Sequence, residues 1–105
     1  MVNRFDVFLI NLDLETSDDP KNSRPAVVIS PDEINHNIDH VIIAPLSSTN
    51  SLYPTRVAVT FPNSKRFIIL DQLRTIETNR LVKKIGLIES SDQAGLLERL
   101  QELFA

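Results

Sequence analysis

Short apolar runs separated by polar, turn-forming clusters occupy the first three quarters of the chain, and a single helical stripe follows them. Between Phe5 and Leu14, Phe5, Val7 and Leu9 alternate with Asp6, Phe8 and Ile10. That period predicts a strand, and the apolar Phe8 and Ile10 predict that its second face meets another layer or a partner. Residues 15–23 carry no periodic apolar position and read as a surface loop. Ala26–Ser30, rich in β-branched residues, predicts a strand covered on both faces. Ile34 and Ile38, four apart in the polar stretch 32–39, permit a short helical turn.

Val41–Leu46 predicts a third strand, and residues 47–54 a loop. Thr55–Phe61 and Arg66–Leu70 predict two further strands joined through a turn at Pro62–Lys65. Leu70, Leu73 and Ile76 recur every third residue, a spacing that fits either helix or strand. Residues 78–85 read as a short helical or irregular connection. The last segment is helical: Ser90 with Gln93 forms a capping-box pattern, and Leu96, Leu97, Leu100, Leu103 and Phe104 share one face. Gly95 weakens that helix by roughly 1 kcal/mol relative to alanine.

Several short strands, one terminal helix and no β–α–β alternation predict an α+β domain on a small antiparallel barrel. The 105 residues suit one domain spanning 1–105. With no cysteine there is neither a disulfide framework nor a thiolate metal site. His36 and His40 do not suggest a histidine-rich metal centre, so neither metal nor cofactor is expected. No apolar stretch reaches membrane-spanning length and the first residues lack a signal-peptide core, so the expected location is the cytoplasm.

The formal net charge of −3 argues mildly against a nucleic-acid partner, but its distribution is uneven. Residues 1–20 set one arginine against five carboxylates, whereas residues 21–84 hold nine basic and five acidic groups. A local basic patch attracts phosphates even on an acidic molecule.

The candidate chemistry lies in that basic middle. Arg24-Pro25-Ala26-Val27-Val28-Ile29-Ser30-Pro31 sets one cation directly before a buried strand. Proline fixes its own φ and biases Arg24 towards extended geometry, so the guanidinium is mounted on a rigid element. The plainer reading is a strand-end charge that stays in water. Val41–Leu46 runs into Ser47-Ser48-Thr49, Tyr53-Pro54 follows, and then Leu70-Asp71-Gln72-Leu73-Arg74-Thr75-Ile76. In this order and at these separations the segments resemble the MazF/PemK family of toxins from bacterial toxin–antitoxin pairs, ribonucleases that cut messenger RNA. The resemblance covers essentially the whole chain from Phe5 onwards.

The resemblance implies an SH3-like barrel with a C-terminal helix, paired as a homodimer, and a strand for Leu70–Ile76. It implies metal-independent cleavage of single-stranded RNA, and a cognate antitoxin with a flexible acidic tail as partner. Arg24 takes the position of the family's catalytic arginine. Ser47 stands where the family typically has threonine, keeping the hydroxyl but losing the methyl that restricts χ1. Ser17-Asp18-Asp19 replaces a Gly-Ser-Glu-like stretch, so Asp19 takes the acidic position without the preceding glycine. Ser48, Thr49 and Tyr53, with Lys21, Arg56, Lys65 and Arg66, are candidate RNA contacts. His36 and His40 match no motif position and read as surface residues. Two other readings remain open: a CcdB-like toxin that binds gyrase without catalysis, or a relative that has lost its activity.

Overall fold

Among the residues described by the computed structural model (1–11, 23–48, 56–61 and 64–104), seven strands and two helices follow one another. They are β1 (Asp6–Asn11), β2 (Ser23–Val28), α1 (Asp32–Asn35), β3 (His40–Ser47), β4 (Arg56–Thr60), β5 (Lys65–Ile69), β6 (Arg74–Glu77), β7 (Leu81–Leu87) and α2 (Ser90–Leu103). The sheet runs β4-β5-β3-β2-β1-β7, with β6 also on β3. The long strand β3 serves two neighbours in turn. His40–Ile43 pair with β6, and Leu46 and Ser47 pair with β5. All of these pairings are antiparallel.

Side-chain alternation divides the interior into two clusters. Val7, Val27, Ile29, Ala44, Leu46, Val59, Phe61, Ile68, Leu70 and Ile88 pack with Leu96 of α2. On the opposite faces of β1, β2 and β3, Ile10, Ala26, Val28, Val41 and Ile43 pack with Ile76 of β6 and, at the margin, Phe8 and Leu81. This explains the apolar second face of β1, since Ile10 is buried by strands of the same chain. Phe5 enters β1 with φ 75°, a left-handed backbone unusual for a bulky residue. It is held there because its N–H donates to the Val28 carbonyl at 2.8 Å and its own carbonyl accepts from Ile88 at 3.0 Å.

Four elements differ from the sequence expectation. Residues 81–87 form a strand rather than an irregular connection, preceded by a 3-10 turn at Thr78–Arg80. Two register shifts against β1 break its alternation, and this hides the period from a linear reading. Leu70–Ile76 is composite: a 3-10 turn at Leu70–Gln72, then β6. The capping box does not form, because Glu89 holds the N-cap position without a side-chain bond and Gln93 Nε2 donates to the Ile88 carbonyl at 2.9 Å. Phe104 leaves the apolar face of α2 and is 73% exposed. No helix among the described residues is long and apolar enough to cross a membrane.

Candidate functional site

Two prolines shape the site. β2 and β3 pair at Val28↔Ile43, Val27↔Ala44 and Ala26↔Pro45, and the ladder ends there. Pro25 is next on β2, and neither it nor Pro45 has an N–H with which to extend the ladder. Beyond this point β2 remains bound to β1 (Leu9↔Pro25, Ile10↔Arg24), while β3 turns to β5 (Leu46↔Ile68, Ser47↔Phe67). A cavity of about 360 Å³ opens beside the end of the ladder, lined by Pro25, Leu46, Ser47, Ser48 and Arg66. β2 begins at Ser23 and β3 extends through Ser47, so Arg24 and Ser47 are both strand residues. The sequence reading had placed them just outside.

Arg24 lies two residues before Ala26 on β2 and Ser47 two residues after Pro45 on β3, so the two flank the point where the strands part. Arg24 is exposed, and its Nη1 donates to the Ser23 carbonyl at 3.1 Å. It does not itself line the cavity. Ser47 is half-buried and Ser48 is exposed at the lip. The half-buried Arg66, on β5 beside the end of β3, completes the wall. No acidic residue appears among the described lining residues, so the cavity presents one guanidinium and two hydroxyls. Such a surface favours an anion with several acceptor oxygens.

The remaining predicted contacts separate. Arg56 is drawn to Asp71, Nε to Oδ1 3.4 Å, with 19% of its side chain exposed. Lys65 Nζ lies 5.9 Å from the centroid of the Phe67 ring and borders a smaller hollow with Ala58, Val59, Thr60 and Asp92. Asp19, Lys21, Thr49 and Tyr53 lie outside the described residues. His36 and His40 are exposed; His36 Nε2 is 2.8 Å from Asn3 Oδ1, and His40 Nδ1 is 2.9 Å from Asp39. Sequence reasoning missed Pro25 and Leu46 as cavity walls. Neither carries a polar group, so nothing along the chain marks them as walls. Among the described residues no group of three or more metal-ligating side chains gathers.

Near α1 the chemistry is structural. The Arg4 backbone N–H donates to Asp32 Oδ1 at 2.7 Å, and this bond, against the opposing effect of burial and with help from Asn35, His36 and the Arg4 charge, holds the carboxyl below its ordinary value. Asn35 Nδ2 bonds the Ser30 carbonyl at 2.8 Å and its Oδ1 accepts the Ser30 hydroxyl, so the buried polar pair satisfies itself.

Residues 3–104 match the family of PemK-like, MazF-like toxins of type II toxin–antitoxin systems. The chain belongs to that family. It is 27% identical over 111 aligned positions to the endoribonuclease MazF9 of Mycobacterium tuberculosis, covering 96% of this chain and 94% of that relative. The fold matches the M. tuberculosis toxin MazF-mt6 with a TM-score of 0.76 at 20% identity, over 94% of this chain and 95% of the other. It also matches a mycobacterial endoribonuclease solved with its cognate antitoxin, with a TM-score of 0.82 at 18% identity, over 99% and 95% of the two chains. This α+β architecture, an antiparallel sheet with a C-terminal helix, is thus that of solved MazF proteins.

Proposed function

We propose that this MazF-like toxin is a metal-independent endoribonuclease acting on single-stranded messenger RNA, with Arg24 and Ser47 in its site. In this reading the 2′-oxygen attacks the adjacent phosphorus and the bond from phosphorus to the 5′-oxygen breaks. The 2′-hydroxyl loses its proton and the departing 5′-oxygen gains one, leaving a cyclic phosphate and a free 5′-hydroxyl. Negative charge builds on the phosphoryl oxygens at the crossing point, and that charge needs a fixed cation. Arg24 supplies it as a charged fork, since a guanidinium presents several N–H donors in one fixed plane. Ser47 orients the phosphate or the attacking hydroxyl.

The observation that carries this reading is the placement of Arg24 and Ser47 on the two strands that part at the end of the β2–β3 ladder. The relative named an endoribonuclease adds to it. A cognate antitoxin is the expected partner, following the neighbour solved with one, and an acidic segment suits the basic residues around the cavity. A homodimer is the expected assembly.

The test is incubation of the purified protein with a long unpaired RNA in excess EDTA, wild type beside Arg24→Ala. Cleavage to cyclic-phosphate ends by wild type, reduced at least about a hundredfold in the variant, is expected for loss of a charge-stabilising donor. Equal cleavage by both proteins would remove Arg24 from the site. No cleavage of several RNAs by wild type would sink the ribonuclease reading and favour a toxin that acts by binding.

A further inference from the structure

The cavity and Arg24 lie on the two sides of the β3 end. Arg24 stands on β2, where it extends the face of Ala26 and Val28 in the second cluster. Arg66 stands on β5 in alternation with Ile68 and Leu70 of the first cluster, and beside the Ser47–Ser48 end of β3. In the sheet order only β3 separates their two strands. Both side chains are long, and Ser47 and Ser48 of the β3 end line the cavity with Arg66.

Arg66 differs from the other cations of this region. No described carboxylate forms an ion pair with it. Arg56, by contrast, is drawn to Asp71. Lys65 is turned over Phe67 and towards the hollow that holds Asp92. Arg66 alone of the described cations lines the cavity with the two serines. That cavity, about 360 Å³, is within the roughly 300–1,000 Å³ range of ligand sites.

We infer that Arg66 and Ser48, beside Ser47, form a second phosphate subsite, which holds the phosphate next to the one held by Arg24 on the same RNA strand. The inference rests on the ribonuclease reading for the identity of its ligand. Arg66 is then a substrate-binding residue outside the bond-breaking step. It fixes the register in which the strand crosses Ser47, and it selects for chains long enough to offer two consecutive phosphates. Its half-burial makes its fork less mobile than that of a solvated surface arginine, so less freedom is lost on binding.

The experiment measures binding first, so that it does not depend on cleavage. A short fluorescent RNA of mixed sequence, 2′-O-methylated throughout and therefore uncleavable, is titrated by anisotropy across a salt series. Wild type is compared with Arg66→Gln, Arg66→Lys and the remote control Arg99→Gln. Loss of one phosphate contact lowers the slope of log affinity against log salt by about 0.7 for single strands. Arg66→Gln is expected to show that reduction and about a tenfold weaker affinity, the worth of one charge-assisted contact. Arg66→Lys keeps the charge and the slope but not the fork, so its affinity falls between the two. Arg99→Gln matches wild type.

In cleavage assays, Arg66→Gln raises KM about tenfold with kcat within about twofold, the pattern of lost ground-state binding. A slope and KM equal to wild type in Arg66→Gln would overturn the subsite while leaving the ribonuclease intact. Arg66-dependent binding by a wild type that cuts nothing would keep the subsite and discard the ribonuclease. No binding by wild type overturns both. If Arg66→Gln unfolds, Arg66→Lys decides, because unchanged affinity in that variant contradicts a forked contact.

Discussion

Gly86 leaves the space that the Phe61 ring fills: a Cβ at Gly86 would stand 2.5 Å from Cε2 and 2.7 Å from Cζ of Phe61. The two residues come from opposite ends of the sheet order. Phe61 directly follows β4, and Gly86 lies in β7. Their contact therefore brings the terminal strands together over the first cluster, which holds Phe61, Val7 and Ile88. A ring cannot yield as the tip of a flexible side chain does.

Gly86→Ala is accordingly expected to destabilise the protein by about 1–3 kcal/mol, the usual cost of overpacking a filled site. Chemical denaturation measures it. Phe61→Leu in the Gly86→Ala background should recover part of the loss, and strict additivity of the two changes would show that the contact is not the cause.

Gly95 predicts the opposite sign. It lies exposed within α2, and nothing stands within 4 Å of an added Cβ. Gly95→Ala should stabilise by about 0.5–1 kcal/mol through helix propensity and a less flexible unfolded chain. A lower melting temperature would contradict this.

Asp6 is a carboxylate only 1% exposed. It is held by Lys84 Nζ at 3.1 Å and by the Asn3 N–H at 2.8 Å. Lys84→Met keeps the stem of the side chain and removes the charge, leaving Asp6 short of a partner. The expected loss is about 1–3 kcal/mol, well above the median for a surface ion pair. A change indistinguishable from zero would mean that water replaces the lysine.

Asp32 gives a pH signature. Its folded carboxyl titrates below the ordinary 3.8, chiefly because the Arg4 N–H donates to it. A depressed carboxyl contributes stability that is present above the unfolded value and is lost as the pH falls through the folded value. Asp32→Asn should therefore be less stable than wild type at neutral pH, with the gap closing below about pH 4 as the wild-type carboxyl protonates. Melting temperatures of both proteins across that range test it, and a gap independent of pH would assign the effect to shape rather than charge.

Ser47 carries the last prediction. Ser47→Ala should lower kcat about tenfold, the worth of one neutral hydrogen bond that strengthens at the transition state. Ser47→Thr restores the hydroxyl with a stiffer χ1 and should cleave at least as fast as wild type. Equal rates for the alanine variant would move the hydroxyl's role elsewhere, with Ser48 the nearest candidate.

Much of this was legible along the chain because it is local. The β-branched run Ala26–Ile29, the alternation of β1 and the leucine face of α2 each state their own conformation through their period. Where the period was interrupted, the reading failed. β7 is bulged twice against β1, and Leu70–Ile76 changes from a 3-10 turn to a strand within seven residues. The end of α2 shows another limit: Phe104 continues the pattern of the face but lies past the last turn, where the chain leaves the core.

The amino-acid sequence by itself determined the class of fold, the mounting of Arg24 beside a proline and the serine at position 47. Only the tertiary structure decided that Arg24 and Ser47 flank the parting of β2 and β3, that Arg66 shares a cavity with Ser47 and Ser48, and that Phe61 closes on Gly86. The reason is register. A one-residue slip in a strand pairing turns every side chain to the other face, and pairing is chosen by the whole buried interior rather than by either strand alone.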